Sequence, residues 1–401
     1  MCQRAAAALR VPGADLRLVQ ACTRERFPSC KQLTVQLHSR EQAVFDLPLA
    51  LDALAGLTTL SQLVLGVDAA VANEPHTMAA ALASLLWWQM RQQSALQPAP
   101  FNYSLTLSLD CSWQANEAVW QALGRLSQLS SLMIQTAAGD ANETAVNMQH
   151  LSALAPLGSC LKQLELRITP VGDLQHQDYA FLSSLTTLTG LHLPVECDHV
   201  RLDSISCLTN LRSLELPAHR FAELVLDAAV YAAIAQLTQL TRLSLSSIEL
   251  GSLVARAAAA AECAAAVRSL PALRQLTWLS FAPKYKAEVA ALAALQQLRG
   301  LMARITLSSE LRLNDLAAVG PLRGLTTLAI ELPDVIELSC KRAKRVLSSV
   351  PHVHVVTLHV DARHVEAAAR VVREAREAHA AAGIEWPAVV LVADLEPGWD
   401  A

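Results

Sequence analysis

Glycine is scarce in this chain, with 14 among 401 residues. Phosphate-binding loops need clustered glycines, because their backbone must approach the phosphate closely. The sequence also lacks GxxxxGK[ST], GxGxxG, GxSxG and HExxH motifs. These absences argue against the common nucleotide-binding, serine-hydrolase and zinc-protease sites. We therefore expect no enzymatic activity, no cofactor and no metal.

The chain also has no large excess of either charge, since it contains 32 basic and 36 acidic residues. A net charge of −4 argues against a broad surface for nucleic acid or anionic membrane. The most apolar stretch begins at Met78 and is shorter than the roughly 20 residues that a membrane span requires. We expect neither nucleic acid nor membrane as a partner.

Paired cysteines are also missing. The nine cysteines are odd in number, form no CxxC pair and fall in several cases at apolar positions, where a thiol acts as a small hydrophobe. Cys22 and Cys30 could form a cap like that of secreted repeat proteins, but no matching cluster occurs near the other end. The start of the chain shows no secretory signal. These features favour a reducing, intracellular compartment, with the cytoplasm as the expected location and the nucleus or an organelle left open.

Aromatic residues make up only 4% of the chain, so leucine, valine, isoleucine and alanine must supply the core. Two stretches show how they are arranged. LSSLTTLTGLHLP at residues 182–194 and ISCLTNLRSLELP at residues 205–217 place every apolar residue at the same position, 23 residues apart. Such self-similarity is the mark of a repeat protein.

The recurring phrase is LxxLxxLxL. Its first part has threefold spacing and predicts a helix end or 3₁₀ turn, while LxL alternates and predicts a short strand. About thirteen strands follow at a mean spacing of about 30 residues. Their first apolar residues are Leu33, Leu63, Leu105, Leu132, Leu164, Leu191, Leu214, Leu243, Leu279, Ile305, Leu328, Val356 and Val389.

The phrases LTTLTGLHLP, LTNLRSLELP, LTQLTRLSLS and LRGLTTLAIEL resemble leucine-rich repeats, in particular the helix-bearing horseshoes similar to ribonuclease inhibitor and F-box adaptors. This resemblance implies an α/β solenoid with a parallel sheet on its concave side and helices on its convex side. The chain departs from the family because the Asn that ties the turn after each strand is missing. We expect irregular turns there, often opened by a proline: Pro170, Pro194, Pro217, Pro283 and Pro333.

The predicted organisation is an N-terminal cap or flexible segment at residues 1–26, a leucine-rich-repeat solenoid at 27–393 and a short tail at 394–401. Helix candidates lie at residues 81–93, in the alanine-rich stretch 257–266 and at 363–383, followed by a closing strand at 388–392.

The candidate binding site follows from the strand pattern. In LxL both leucines face the core, so the residue between them faces the open side of the sheet. Near both ends of the predicted sheet, this side carries mainly Ser, Thr and Ala. Charged and aromatic residues are concentrated in the middle strands. The candidate binding residues are Glu165, Arg167, His192, Glu215, Arg242, Trp278 and Arg304. Because Trp and Arg are enriched in binding hot spots and the charges are mixed, we predict a monomeric scaffold that binds another protein.

Two alternatives remain open. The first alternative, which the resemblance implies, is a substrate-recognition adaptor of a ubiquitin ligase. Residues 45–48 (FDLP) are similar to part of an F-box. The second is a zinc or Cys–His enzyme that uses Cys197 and His199, which lie in the run Glu196, Cys197, Asp198 and His199. A solvated turn explains that run better, because four consecutive side chains cannot all face one ion.

Three further groups have ordinary structural explanations. His352, His354, His359 and His364 are not expected to converge, since His359 faces the opposite side of the strand that carries His352 and His354. The basic residues 341–345 fit the solvated face of a helix better than a nuclear-import signal. Trp87 and Trp88 fit helix packing better than a ligand platform.

Overall fold

The computed structural model divides into two compact units, Met1–Pro194 and Val195–Ala401. It describes residues 8–11, 32–39, 42–43, 47–48, 51, 62–67, 75–94, 102–109, 117–136, 145–167, 169–171, 179–193, 203–217, 228–245, 264–265, 267–283, 285–304, 313–331, 340–350, 352–381 and 387–394.

The first unit contains parallel strands that pair in the order β1-β2-β3-β4-β5-β7-β9, and a separate pair of β6 with β8. The strands are β1 Ala8–Val11, β2 Gln32–Leu37, β3 Gln62–Val67, β4 Asn102–Leu109, β5 Leu129–Thr136, β6 Ala145–Asn147, β7 Gln163–Arg167, β8 Thr169–Val171 and β9 Gly190–His192. Helical segments connect them: α1 Pro75–Ser94, α2 Glu117–Gly124, α3 Met148–Leu151 and 3₁₀ turns at Ser152–Ser159 and Ala180–Ser184.

The second unit repeats the arrangement, with parallel pairing in the order β10-β11-β12-β13-β14-β15-β16. Its strands are β10 Ser213–Leu216, β11 Arg242–Leu245, β12 Trp278–Phe281, β13 Gly300–Arg304, β14 Thr327–Glu331, β15 Val355–Asp361 and β16 Ala388–Asp394. Its helices include α4 Ala228–Ala235, α5 Lys286–Leu292, α6 Cys340–Ser349 and α7 Val365–Ala381, with 3₁₀ turns at Asp203–Cys207, Leu270–Ala272, Leu313–Val319 and Ala362–His364.

The threefold leucine spacing produces a repeated turn before the strands. In one repeat the Leu295 amide donates to the Leu292 carbonyl at 2.9 Å, and the Leu298 amide donates to the Leu295 carbonyl at 3.0 Å. A bond from residue i+3 back to residue i is the 3₁₀ pattern, which brings side chains three apart to the same side. All three leucines are therefore buried, as is Leu301 three residues further on in β13. The predicted turn into the strand is confirmed.

A threonine ladder joins successive repeats where the chain enters the strands. Its members are Thr189, Thr241, Thr277 and Thr326. Thr241, for example, donates to the Arg212 carbonyl through its amide at 2.8 Å and through its hydroxyl at 2.9 Å. Thr326 does the same to the Arg299 carbonyl, at 2.8 and 3.0 Å. In these repeats the threonines tie the turn before the strand, whereas the missing family asparagine would tie the turn after it.

The strand order, the register and the repeated turn confirm the predicted α/β leucine-rich-repeat architecture. Two strand alignments were wrong. In β4 the residue in register with Leu63 is Tyr103, whereas the sequence pattern aligned Leu105 with it. The residue of β13 in line with Leu279 and Leu328 is Leu301, whereas the sequence pattern placed Ile305 there. The LxL template favoured Ile-Thr-Leu at residues 305–307, but the preceding turn ends at Leu298 and so begins the strand at Gly300, with small Ala303 as its second core residue.

Two features were not anticipated. β1 lies inside the segment 1–26, which was predicted to be a cap or flexible, and it pairs with β2 of the predicted solenoid. Pro170 was expected to open an irregular turn but lies within β8, opposite Val146 of β6. The division of the chain at residues 26 and 393 remains a prediction.

The predicted helices agree with the structure wherever their residues are described. Helix α1 covers the candidate at 81–93, α7 covers most of 363–383 and β16 forms the closing strand. Most of the alanine-rich stretch 257–266 lies outside the described residues. No helix in the described part is both long and apolar enough to cross a membrane.

Candidate functional site

The seven candidate residues divide between the two units. Glu165, Arg167 and His192 belong to the first. Arg167 donates through Nε to the Glu165 carboxylate on the same strand, and 57% of the Arg167 side chain is exposed. His192 of β9 lies in register beside Glu165 of β7. Glu165 and Arg167 therefore satisfy each other's charge, and an exposed ion pair of this kind contributes about 0–1 kcal/mol to stability.

In the second unit, Arg242 of β11 and Trp278 of β12 occupy paired positions on adjacent strands. The Arg242 guanidinium carbon lies 5.9 Å from the centroid of the Trp278 ring, which is a cation–π contact. Leu243 and Leu279, the next residues, are fully buried. Arg242 is exposed and Trp278 half-buried, so both side chains lie on the open face of the sheet.

The indole of Trp278 extends over the next strand. Gly300 of β13 pairs with Trp278, and a Cβ at Gly300 would overlap Cε3 and Cζ3 of the indole. The glycine therefore provides the space in which the ring lies. Arg242, Trp278 and Gly300 thus form a continuous platform across three strands, with the guanidinium at one end.

Arg304 does not belong to this platform. The sequence pattern aligned Arg304 with Trp278, because it took Ile305 as the first core residue of its strand. The structure places Arg304 at the other end of β13, in register with Glu331 of β14, which is followed by His359 of β15. The seventh candidate therefore belongs to a separate row of ionisable residues.

Glu215 lies on β10, in register with Ser244 of β11, and is exposed. It is two positions further along its strand than Ser213, which is the residue in register with Arg242. The structure places Glu215 near the platform but outside its row.

Sequence reasoning missed Gly300. The same arrangement occurs in the first unit, where the Gln163 side chain covers Gly190 and donates to the Thr189 hydroxyl at 3.2 Å. A glycine at the first position of a strand, beside a large side chain on the preceding strand, was the available signal. In β13 the misplaced register hid it.

Most of the residues proposed for the alternative functions lie outside the described ranges. No group of three or more potential ligands that could hold a metal occurs within the described ranges. Glu196, Cys197, Asp198 and His199 lie outside those ranges, as do two residues of the FDLP stretch. His352 and His354 precede β15 instead of sharing its face, His359 lies within it, and His364 lies in the following 3₁₀ turn.

The expectations for the tryptophan pair and for residues 341–345 concern side chains on helices. Trp88 of α1 is buried in the core, as predicted, whereas Trp87 is 43% exposed. The basic residues 341–345 fall in α6, which leads into buried Val346, Leu347 and Val350 as expected.

The surroundings of Cys160 disfavour reaction at its thiol. Its Sγ donates to the carbonyls of Leu157 at 3.5 Å and Leu126 at 3.9 Å. Burial raises the pKa of the Cys160 thiol, and the hydrogen bond with the Leu129 backbone offsets this only in part. The nucleophilic thiolate is thereby disfavoured.

No protein-family model matches the sequence, and no curated protein matches it. Among solved structures, the chain is similar to the leucine-rich repeat-containing protein LegL7 from Legionella pneumophila. The two share 17% identity, and the match covers 68% of this chain and 90% of LegL7 with a TM-score of 0.43. The fold assignment rests on the strand order, register and turns described above, independently of this similarity.

Proposed function

We propose that this chain is a non-enzymatic, protein-binding scaffold and that the open face of the second unit carries the binding site. The observation that supports this is the platform of Arg242, Trp278 and Gly300. A tryptophan held flat on an open sheet face offers a large contact area with little side-chain entropy left to lose. Arginine and tryptophan are also the residue types that dominate binding energy in protein interfaces.

The state of Arg242 strengthens the proposal. Its guanidinium stacks on the indole and has no carboxylate partner among the described residues. Its five N–H donors are thus available to a partner while its position is fixed by the ring.

The test is a pull-down from native extract with four baits: wild type, Arg242→Ala, Trp278→Ala and the control Arg376→Ala. Arg376 is an exposed arginine on α7, away from the sheet face. A protein held by wild type and the control but lost by both platform variants is then purified and titrated directly. Each variant must keep the wild-type urea midpoint, so that lost binding is not lost folding.

Equal retention of the same proteins by all four baits would show that the platform is not the binding site. Substrate turnover by the purified chain that survives both platform substitutions would contradict the scaffold function itself.

A further inference from the structure

The turns that lead into the strands of the second unit carry a row of arginines. Each of five successive repeats contributes one, at the first residue of its strand or one or four residues before it. All five side chains are exposed. This arginine ridge consists of Arg212, Arg242, Arg274, Arg299 and Arg323.

The turns themselves contain no opposing charge. The six-residue segments that enter these strands are LTNLRS, LTQLTR, LRQLTW, LQQLRG and LRGLTT, and none of them contains Asp or Glu. Nor does a described carboxylate form an ion pair with any arginine of the ridge. In a chain that is slightly acidic as a whole, these turns therefore carry a local excess of positive charge.

Several ridge residues are held in place by neighbouring repeats. The carbonyls of Arg212 and Arg299 accept the hydrogen bonds of the threonine ladder. The guanidinium of Arg299 donates to the Gly324 carbonyl of the next repeat at 3.2 Å, which brings it beside Arg323. The guanidinium of Arg242 stacks on Trp278. Because the backbone and some side chains are already fixed, a partner would lose less entropy on binding them.

The geometry favours an extended chain of carboxylates. Parallel strands lie about 4.8 Å apart, so a ridge across five strands is roughly 20 Å long, the length of about six extended residues. The ridge is built of arginine without lysine, and the planar guanidinium matches a carboxylate through two parallel hydrogen bonds. Trp278 adjoins the ridge, so that an apolar side chain of the same partner can pack there.

From these observations we infer that the arginine ridge binds an acidic, extended segment of a partner protein, alongside the Trp278 platform. This inference rests on the proposed binding function and adds the chemistry of the partner. It also assigns roles to Arg212, Arg274, Arg299 and Arg323, which lie outside the platform.

The experiment measures fluorescence anisotropy of a labelled oligoglutamate peptide with one tryptophan at its end. The proteins are wild type, a triple Arg212→Gln, Arg274→Gln, Arg323→Gln variant and a triple variant with Lys at the same positions. The matched control combines Arg345→Gln, Arg373→Gln and Arg376→Gln, which removes three exposed arginines from α6 and α7. A labelled oligothymidylate of equal charge is the second probe.

We expect the peptide to bind wild type and the control equally and to bind the glutamine variant on the order of tenfold more weakly, as expected for three lost exposed charge contacts. The lysine variant should lie between them, because it keeps the charge but loses the paired hydrogen bonds. Raised salt should weaken binding to wild type most.

Equal peptide binding by wild type and the glutamine variant would overturn the inference, as would the absence of peptide binding. Tighter binding of the oligothymidylate than of the peptide would also overturn it and assign the ridge to nucleic acid. If a purified partner is lost by Trp278→Ala but kept by the glutamine triple variant, the proposed function stands and only the acidic segment is wrong.

Discussion

The guanidinium of Arg242 stacks on the indole of Trp278 across 36 residues of sequence, because the parallel register places the two at the start of adjacent strands. At an exposed site such a contact contributes about 0.5–1 kcal/mol. That is too little to explain the pair as a device for stability. Its consequence is geometric, since it fixes a cationic group and an aromatic ring side by side on an open surface.

The first prediction concerns the space beneath the ring. Gly300→Ala places a methyl group where the Trp278 indole lies, so the ring must move. Alanine is intrinsically better than glycine within a strand, by roughly 0.5–1 kcal/mol, which offsets the disturbance. We therefore expect a change in stability of less than about 1 kcal/mol. The indole N–H resonance of Trp278, assigned by its loss in Trp278→Phe, should shift clearly.

The control for this prediction is Ser280→Ala, a substitution on the same strand face that leaves Gly300 unchanged. An unchanged Trp278 resonance in Gly300→Ala would show that the ring does not lie over the glycine.

A second prediction concerns the close approach of successive repeats in the first unit. A Cβ at buried Gly158 would overlap the Ser184 carbonyl oxygen, which is backbone and cannot swing aside. Gly158→Ala should lower the free energy of unfolding by about 1–3 kcal/mol, the usual cost of overpacking. The urea midpoint measures this, with exposed Ser159→Ala as the control. Equal midpoints for the two variants would contradict the close contact.

A third prediction tests the threonine ladder. Thr241→Val removes the hydroxyl bond to the Arg212 carbonyl but keeps the side-chain shape and the backbone bond. Because the group is near solvent, we expect a loss of about 0.5–1 kcal/mol, and Thr241→Ser should restore most of it. Thr326→Val lies three strands away, so the two losses should add. A double variant as stable as wild type would show that the hydroxyls contribute nothing.

A fourth prediction concerns cysteine reactivity. Burial raises the pKa of the Cys160 thiol above its ordinary value of 9.0, so its thiolate is scarce near neutral pH. Iodoacetamide should modify Cys160 more slowly than exposed Cys207, as followed by peptide mass spectrometry. In urea the two rates should converge.

The same shift has a consequence for stability. The contribution of Cys160 to the free energy of unfolding is fully present below the pKa that its thiol has in the unfolded chain. It is lost as pH rises through the higher pKa that the thiol has in the folded protein. Cys160→Ala should therefore remove a small part of the decline in stability at alkaline pH. An identical alkaline profile in that variant, or faster labelling of Cys160 than of Cys207, would contradict the assignment.

The repeated turns and strands could be predicted from the sequence because burial of their leucines in the core fixes the spacing of those leucines. Leucines three apart in the turn and two apart in the strand have one buried arrangement, so the pattern predicts both. Arg242 and Trp278 could be identified for the same reason, since each directly precedes a core leucine. The error at Ile305 arose where Ala303 fills a core position, because a small residue does not match the LxL template.

The arginine ridge could not be read from the strand pattern. Its members occupy three different positions within the turns, four residues before the strand, one residue before it or its first residue. Only the stacking of the repeats brings these positions to one edge. The threonine ladder could not be predicted from the family pattern, because the threonines that tie these turns lie before the strands, whereas the family's asparagine lies after them.

The threonine ladder and the leucine turn together confine the stacking of the repeats to a segment of about ten residues. The remainder of each repeat is free to vary, and it does: 36 residues separate Leu243 from Leu279, but only 22 separate Leu279 from Leu301. Both pairs of strands nevertheless keep an unbroken register. Sequence can therefore be gained or lost between the end of one strand and the next leucine turn without disturbing the sheet, so that new loops and helices can accumulate there while the open face of the sheet keeps its spacing.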